Sequence, residues 1–424
     1  MNASRWTDED IERMRTIGDP LADNAVAAVF EHGGGAEGVH QLLVRLFAPD
    51  TTGAGHDVLR ARFDSAADTP LPDEVRRYLE EGHRLPGWAR LPEKQQLIHE
   101  GGTVGLEFGL MVSTLLACAS LPECYVMAKG VKVLAYTGRL DEHTRRRLLE
   151  TAQFIMDIAH SGNVIPANSG DGDGAPPGEL PRGIQSALRV RLMHASIRYL
   201  IQHGGKVEGR EKTSADVANQ WVPTDGKPIN QEDLVYTLMT FSWVPIRVLR
   251  DFGLRPDQEL AFLTRWNLVG HFMGVREDLL PATVDEAEAL FEQIKTRQKG
   301  STGPGRALTR HLLEYVRSVM PFGCKGLPKI LIHTYVGTET ASILGVSPPG
   351  FLERLAIRVV KVILGWIVRA VDDAYRDDSG LGPVSVWLHR RLLMALAHMS
   401  PDGFRIPPDF WSDEVFGHHR AVQR

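Results

Sequence analysis

The sequence holds only three cysteines, Cys118, Cys124 and Cys324, in 424 residues. So few, and an odd number, cannot build a disulfide framework and suit a reducing compartment. An excess of one charge is also missing. The 48 basic and 53 acidic residues are well mixed and leave a net charge of −5. No concentrated basic face of the kind a nucleic-acid binder needs is present. The most apolar stretch, Phe351 to Ala370, is interrupted by Glu353, Arg354, Arg358, Lys361 and Arg369. A spanning helix would not carry that many charges, so no transmembrane segment is expected. A solvated basic face is the plainer account of its Arg354, Arg358 and Lys361 stripe, and contact with lipid or an apolar substrate the sharper one.

Targeting and catalytic signatures are scarce as well. The opening residues, Met1 to Asp10, contain no basic region followed by an apolar run and no twin arginine. The expectation is a cytoplasmic protein as written, with secretion kept for a chain whose N-terminus has been trimmed. There is no His-Glu-x-x-His, no Gly-x-Ser-x-Gly, no phosphate-binding Gly-x-x-x-x-Gly-Lys-Ser/Thr and no clear dinucleotide fingerprint. The 16 histidines are scattered, with only His418 and His419 adjacent. A hydrolytic zinc site or a nucleotide site is therefore not expected.

What is present is helix. Apolar residues recur at three- and four-residue spacing in Val39 to Phe47, Val75 to Glu80, Arg145 to Ala159, Leu188 to Ile201, Gln258 to Met273 and Val284 to Lys299. Asp141 can open the helix through Ala159, and Thr283 to Glu286 resembles a capping box. Ser161 to Pro181 and Lys299 to Gly305 are rich in Gly and Pro without apolar period and read as loops. With 43% hydrophobic residues the chain can bury a large core. The expectation is an all-α protein forming a single domain over residues 1–424. Its core would span about 70–375, with a loop at 161–181 over a functional site and a C-terminal extension over about 376–424.

The most informative segment is Leu188 to Ile201. On a helix Val190, His194, Ile197 and Ile201 share one face, which sets one imidazole in an apolar stripe. Arg191 and Arg198 flank it, three residues before and four after. A hydrogen-bonded core histidine is the plainer account of a lone His on such a face. Buried arginines, however, need anions. Haem would answer all three features, with iron for the imidazole, propionates for the cations and a porphyrin for the stripe. No cysteine stands in a Cys-x-x-Cys-His arrangement, so covalent attachment is excluded. In the helix before the long loop, Arg147 and Thr151 lie at i, i+4 and can present a guanidinium and a hydroxyl together. A surface arginine beside a packing threonine is the alternative.

Several segments, in order, resemble the latex clearing protein family and the wider oxygenase domain shared with the fungal mycophenolic-acid pathway enzyme. They are Arg15-Thr-Ile-Gly-Asp-Pro20, Leu85-Pro-Gly-Trp88, Arg147-x-x-x-Thr151, Arg191-x-x-His194-x-x-x-Arg198, Gly226-Lys-Pro-Ile-Asn-Gln-Glu-Asp233 with Phe241-Ser242, and Trp266-Asn-Leu-Val-Gly270 leading to Gly274 and Leu280-Pro281. The resemblance implies a globin-like helical core with additional helices and non-covalent haem b buried between them. It implies His194 as the proximal iron ligand supported by Arg191 and Arg198, with Arg147 and Thr151 on the distal side. The implied activity is O2-dependent cleavage of the carbon–carbon double bonds of poly(cis-1,4-isoprene), leaving aldehyde and ketone ends.

The chain departs from the family pattern in two places. Glu150 stands where rubber-cleaving members tend to carry a lysine able to cap the iron, and a carboxylate cannot imitate an amine ligand. The family's catalytic glutamate would fall near Val131 and Lys132, and the nearest candidate is Glu123, with a structural loop role as its alternative. Glu150 itself is a further candidate base. Three activities follow: an oxygenase acting on polyisoprene or related isoprenoids; a haem-dependent peroxygenase of a smaller apolar molecule, which Glu150 motivates; and a non-enzymatic haem-binding or O2-sensing protein.

Overall fold

This computed structural model describes residues 5–31, 72–107, 114–136, 151, 153–155, 157–158, 164, 180–203, 221–319 and 325–350. In chain order its principal helices are α1 (Asp8–Met14), α2 (Pro20–Glu31), α3 (Asp73–Glu81), α4 (Pro92–Glu107), α5 (Leu121–Tyr125), α6 (Val131–Tyr136) and α7 (Arg182–His203). They continue as α8 (Gln231–Phe241), α9 (Trp243–Leu249), α10 (Pro256–Phe272), α11 (Val284–Gln298), α12 (Gly303–Val319) and α13 (Leu327–Ile343). Among the described residues the only β pairing is one isolated bridge, Met127 to Lys299. The all-helical expectation is met.

The periodic segments that fall within the described residues become helices close to their expected bounds. Leu188 to Ile201 lies inside α7, Gln258 to Met273 corresponds to α10, and Val284 to Lys299 to α11. Thr283 caps α11 by accepting from Glu286 N at 3.2 Å. The return bond of a full capping box is displaced, because the Glu286 carboxylate accepts from Ala282 N at 2.8 Å instead. The Lys299 to Gly305 loop is shorter than its composition suggests, since Gly303 already opens α12. Val39 to Phe47, the Asp141 cap with most of Arg145 to Ala159, Phe351 to Ala370, most of the 161–181 loop and the C-terminal extension lie outside the described residues. No described helix is long and apolar enough to cross a membrane.

Two contacts fix the site-bearing helices. α4 lies flat along α10 at Gly101, where a Cβ would sit 2.3 Å from the Ala261 carbonyl oxygen. α3 is pinned to α7 by Tyr78, whose hydroxyl donates to Leu188 O at 2.8 Å. One apolar cluster then runs from Ile11 in α1 to Val346 beyond α13. Burial of this kind is worth roughly 25 cal/mol per Å² of apolar surface and is the main favourable term in folding.

Candidate functional site

The apolar stripe of α7 does not close against a neighbouring helix. Val190, Met193, His194 and Ile197 instead line a cavity of about 330 Å³, while Ile201 does not reach it. At ~30 Å³ each, roughly ten water molecules would fill that volume. Its other walls are mostly apolar, with Leu121, Phe154, Leu234, Phe241, Trp266 and Leu308 prominent. A space this size with so few polar groups suits an apolar ligand rather than solvent.

His194 is the exception on that wall. Its Nδ1 is enclosed without a hydrogen-bond partner, and no described residue bonds either ring nitrogen. Burial is the first cause of a pKa pushed down to about 4; the nearby Arg198 adds to it and Asp19 opposes it. The ring is therefore uncharged at neutral pH, with a nitrogen lone pair available to a metal. The buried His333 differs in that its Nε2 is bonded, to the carbonyls of Val346 and Ser347, while its Nδ1 is likewise unpartnered.

Arg191 and Arg198 meet anions, as buried arginines must, but the anions are the chain's own. Arg191 holds Asp19 through Nε at 2.6 Å and Nη2 at 2.8 Å. Burial works against its charge, and Asp19 outweighs burial, so its pKa is raised. Arg198 pairs with Asp23 through Nη1 and donates to Pro228 O at 2.9 Å and Ile229 O at 2.7 Å. The expectation that propionates take these two cations is thereby corrected. Both lie off the cavity wall and tie α7 to the first turn of α2 with the residue before it and to the turn before α8. Gly18 and Gly274 make room for them: a Cβ at Gly18 would lie 3.2 Å from the Arg198 side chain, and one at Gly274 2.8 Å from Arg191 Nε.

Thr151 lines the cavity with His194, so the structure brings these two expected residues together. Arg147 and Glu150 lie outside the described residues. Glu123 does not join the site. Its carboxylate is fully buried between Arg247 Nη2 at 3.2 Å and Lys295 Nζ at 2.8 Å, and it does not line the cavity. The catalytic expectation for Glu123 is corrected to a structural one: the carboxylate cements α5 to α9 and α11. A π turn at Leu116–Ser120 directly before α5 sets this register, turning the neighbouring Cys124 to the cavity and Glu123 away from it. Burial pushes the Cys124 thiol up to about 12, so it stays protonated at neutral pH.

Two residues of the wall stand in the Gly226 to Asp233 run but were given no site role by sequence. Asp233 accepts from Asn230 Nδ2 at 2.9 Å and pairs with Arg15 Nη1 at 3.3 Å. Burial raises its pKa and Arg15 holds it back, with a net rise. The signal was present as Asn230 and Asp233 at the ends of a helix-opening Asn-Gln-Glu-Asp run. Ile229, beside it, has φ 50°. A β-branched residue in the left-handed region costs about 1–3 kcal/mol, and no sequence pattern announces it.

Among the described residues, no three of His, Cys, Asp and Glu converge as a ligand set. One imidazole cannot by itself hold a free ion with catalytic affinity. A planar macrocycle that brings four nitrogens to its iron needs only one protein ligand and apolar surroundings, and His194 on this apolar wall has the chemistry of such a ligand.

Residues 104–400 match the family described as "ER-bound oxygenase mpaB/B'/Rubber oxygenase, catalytic domain". The curated "Rubber oxygenase" of Streptomyces sp. (strain K30) is 26% identical over 305 residues, covering 69% of this chain. The chain spans 66% of that relative's length. The solved "Structure of Latex Clearing Protein LCP in the closed state" superposes with a TM-score of 0.63 at 22% identity, covering 93% of this chain and 94% of that one. That likeness bears on the fold.

Proposed function

The chain belongs to the family of mpaB/B' and rubber oxygenase catalytic domains, and we propose that within it this protein is a haem b dependent oxygenase cleaving isoprenoid double bonds. The observation that carries the reading is His194, an uncharged imidazole unclaimed by described residues, on the wall of an apolar cavity of about 330 Å³. When bound there, haem b supplies a redox-active iron and thereby the activation of O2.

The chain's own residues do the rest. His194 would be the proximal ligand. Arg191 and Arg198, anchored on Asp19 and Asp23, fix the rotation of α7 and so the direction of the ring. Leu234, Phe241 and Trp266 hold an apolar chain and exclude water. Thr151 offers a hydroxyl on the same cavity, and Arg147, four residues earlier in sequence, would offer a guanidinium for negative charge developing on oxygen. Overall, one C=C bond and one O2 are consumed, and each alkene carbon gains one oxygen, giving a ketone and an aldehyde.

The leading substrate is poly(cis-1,4-isoprene) or a shorter prenyl chain. The test is to give haem-loaded, reduced protein O2 with polyisoprene latex or squalene and to trap carbonyl ends as hydrazones. Aldehyde-bearing fragments are the expected result, and both substrates recovered intact would sink the reading. Glu150, in the place of a lysine in rubber-cleaving members, favours one alternative, peroxide-dependent oxidation of a smaller apolar molecule. Turnover with peroxide and none with O2 would select it.

A further inference from the structure

Among the described residues six have a backbone φ in the positive range between 50° and 96°, and five of them are glycines: Gly226, Gly253, Gly274, Gly337 and Gly345. Ile229 is the sixth, and of the six it alone lines the His194 cavity. It occupies the second corner of a turn whose first corner is Pro228. Proline suits the first corner, and when the second has positive φ it favours Gly or Asn, which reach that conformation at little cost. Three residues earlier the chain uses Gly226 for such a backbone. An isoleucine at this corner needs a reason in its side chain, and Ile229 lines the cavity and packs on the core.

The turn is held from α7. Arg198 lies four residues after His194, and its guanidinium takes both corner carbonyls, Pro228 O at 2.9 Å and Ile229 O at 2.7 Å, with its remaining nitrogen on Asp23. Asn230 Nδ2 closes the turn on Lys227 O at 2.8 Å. Arg198 has little freedom of its own, since the Gly18 backbone is packed against it and Gln231 Nε2 fixes Gly18 O at 2.7 Å.

We propose that Ile229 is a selectivity residue that limits the length and bulk of the apolar chain admitted to the cavity that Thr151 and His194 share, with Arg198 as the positioning residue that holds it there. The proposal rests on the reading of the cavity as an apolar-ligand site. The side chain on one corner of the wall then sets how far a prenyl chain can extend, and the same helix that presents the imidazole fixes that corner. Apolar pockets discriminate about 10- to 200-fold per methylene, so a truncated Ile229 should move selectivity by at least about tenfold.

The experiment compares haem-loaded, full-length wild type with Ile229→Ala, Ile229→Gly and Arg198→Lys, using geraniol and farnesol as short and long probes in titration calorimetry, together with thermal melting. In both Ile229 variants the farnesol-to-geraniol affinity ratio rises about tenfold or more. Arg198→Lys, whose single ammonium cannot hold both carbonyls, shifts it in the same direction. Ile229→Gly melts higher than Ile229→Ala, the reverse of their order at ordinary positions, because glycine accepts the positive φ. An unchanged ratio in both Ile229 variants, with wild type binding both alcohols, overturns the selectivity role and leaves the functional reading intact. A lower melting point for the glycine variant overturns the strained-corner premise. No binding of either alcohol to any of these proteins overturns the functional reading and this proposal with it.

Discussion

At the scale of the residue, chemistry here is decided by which buried polar groups have partners. His194 has none among the described residues, and Glu123 has two cations. Because the folded pKa of His194 is depressed to about 4 from 6.5, the unfolded chain binds more protons between those values. Its contribution is therefore complete above pH 6.5 and is lost as pH falls through that window. Without added haem, the protein should lose up to about 2 kcal/mol from this residue between pH 7 and pH 5. Urea titrations of wild type and His194→Phe at both pH values check it, and an equal loss in the two would show that His194 is not the source. Glu123→Gln leaves Arg247 and Lys295 without their carboxylate. Complete burial would make that cost ~3–5 kcal/mol, and with Arg247 part-exposed about 2 kcal/mol is expected, with turnover per folded molecule unchanged. A full loss of turnover in folded Glu123→Gln would restore the catalytic role that the geometry removes.

At the scale of the element, legibility followed periodicity. α7, α10 and α11 were readable because their apolar residues recur every three or four positions and nothing tertiary overrides them. α4 was not, since Gly101, Gly102 and Gly105 weaken its helical signal. Those glycines have a packing reason at Gly101, where the Ala261 carbonyl leaves no room for a Cβ. Gly101→Ala should therefore destabilise by about 1–3 kcal/mol despite the better helix propensity of alanine. A denaturation midpoint at or above wild type would mean that α4 and α10 are not in this contact. The anions of Arg191 and Arg198 were illegible for another reason: Asp19 and Asp23 lie more than 170 residues away in sequence, and nothing local encodes that pairing.

At the scale of the whole molecule, the ordered motifs pointed to the family, and the fold and the matched residues 104–400 agree. The wall of the cavity is built from segments as far apart as Leu121 and Leu308, so its shape could not be read from any one of them. What sequence did supply was the imidazole on that wall. The central claim is that His194 is the single protein ligand of a haem iron in this cavity. The most direct test is the visible spectrum of the purified protein after incubation with haemin, before and after dithionite, beside His194→Ala. A strong Soret band in the wild type that shifts on reduction and is absent from a folded His194→Ala is the predicted result. A wild type that stays colourless, or a variant with the same band, would contradict it.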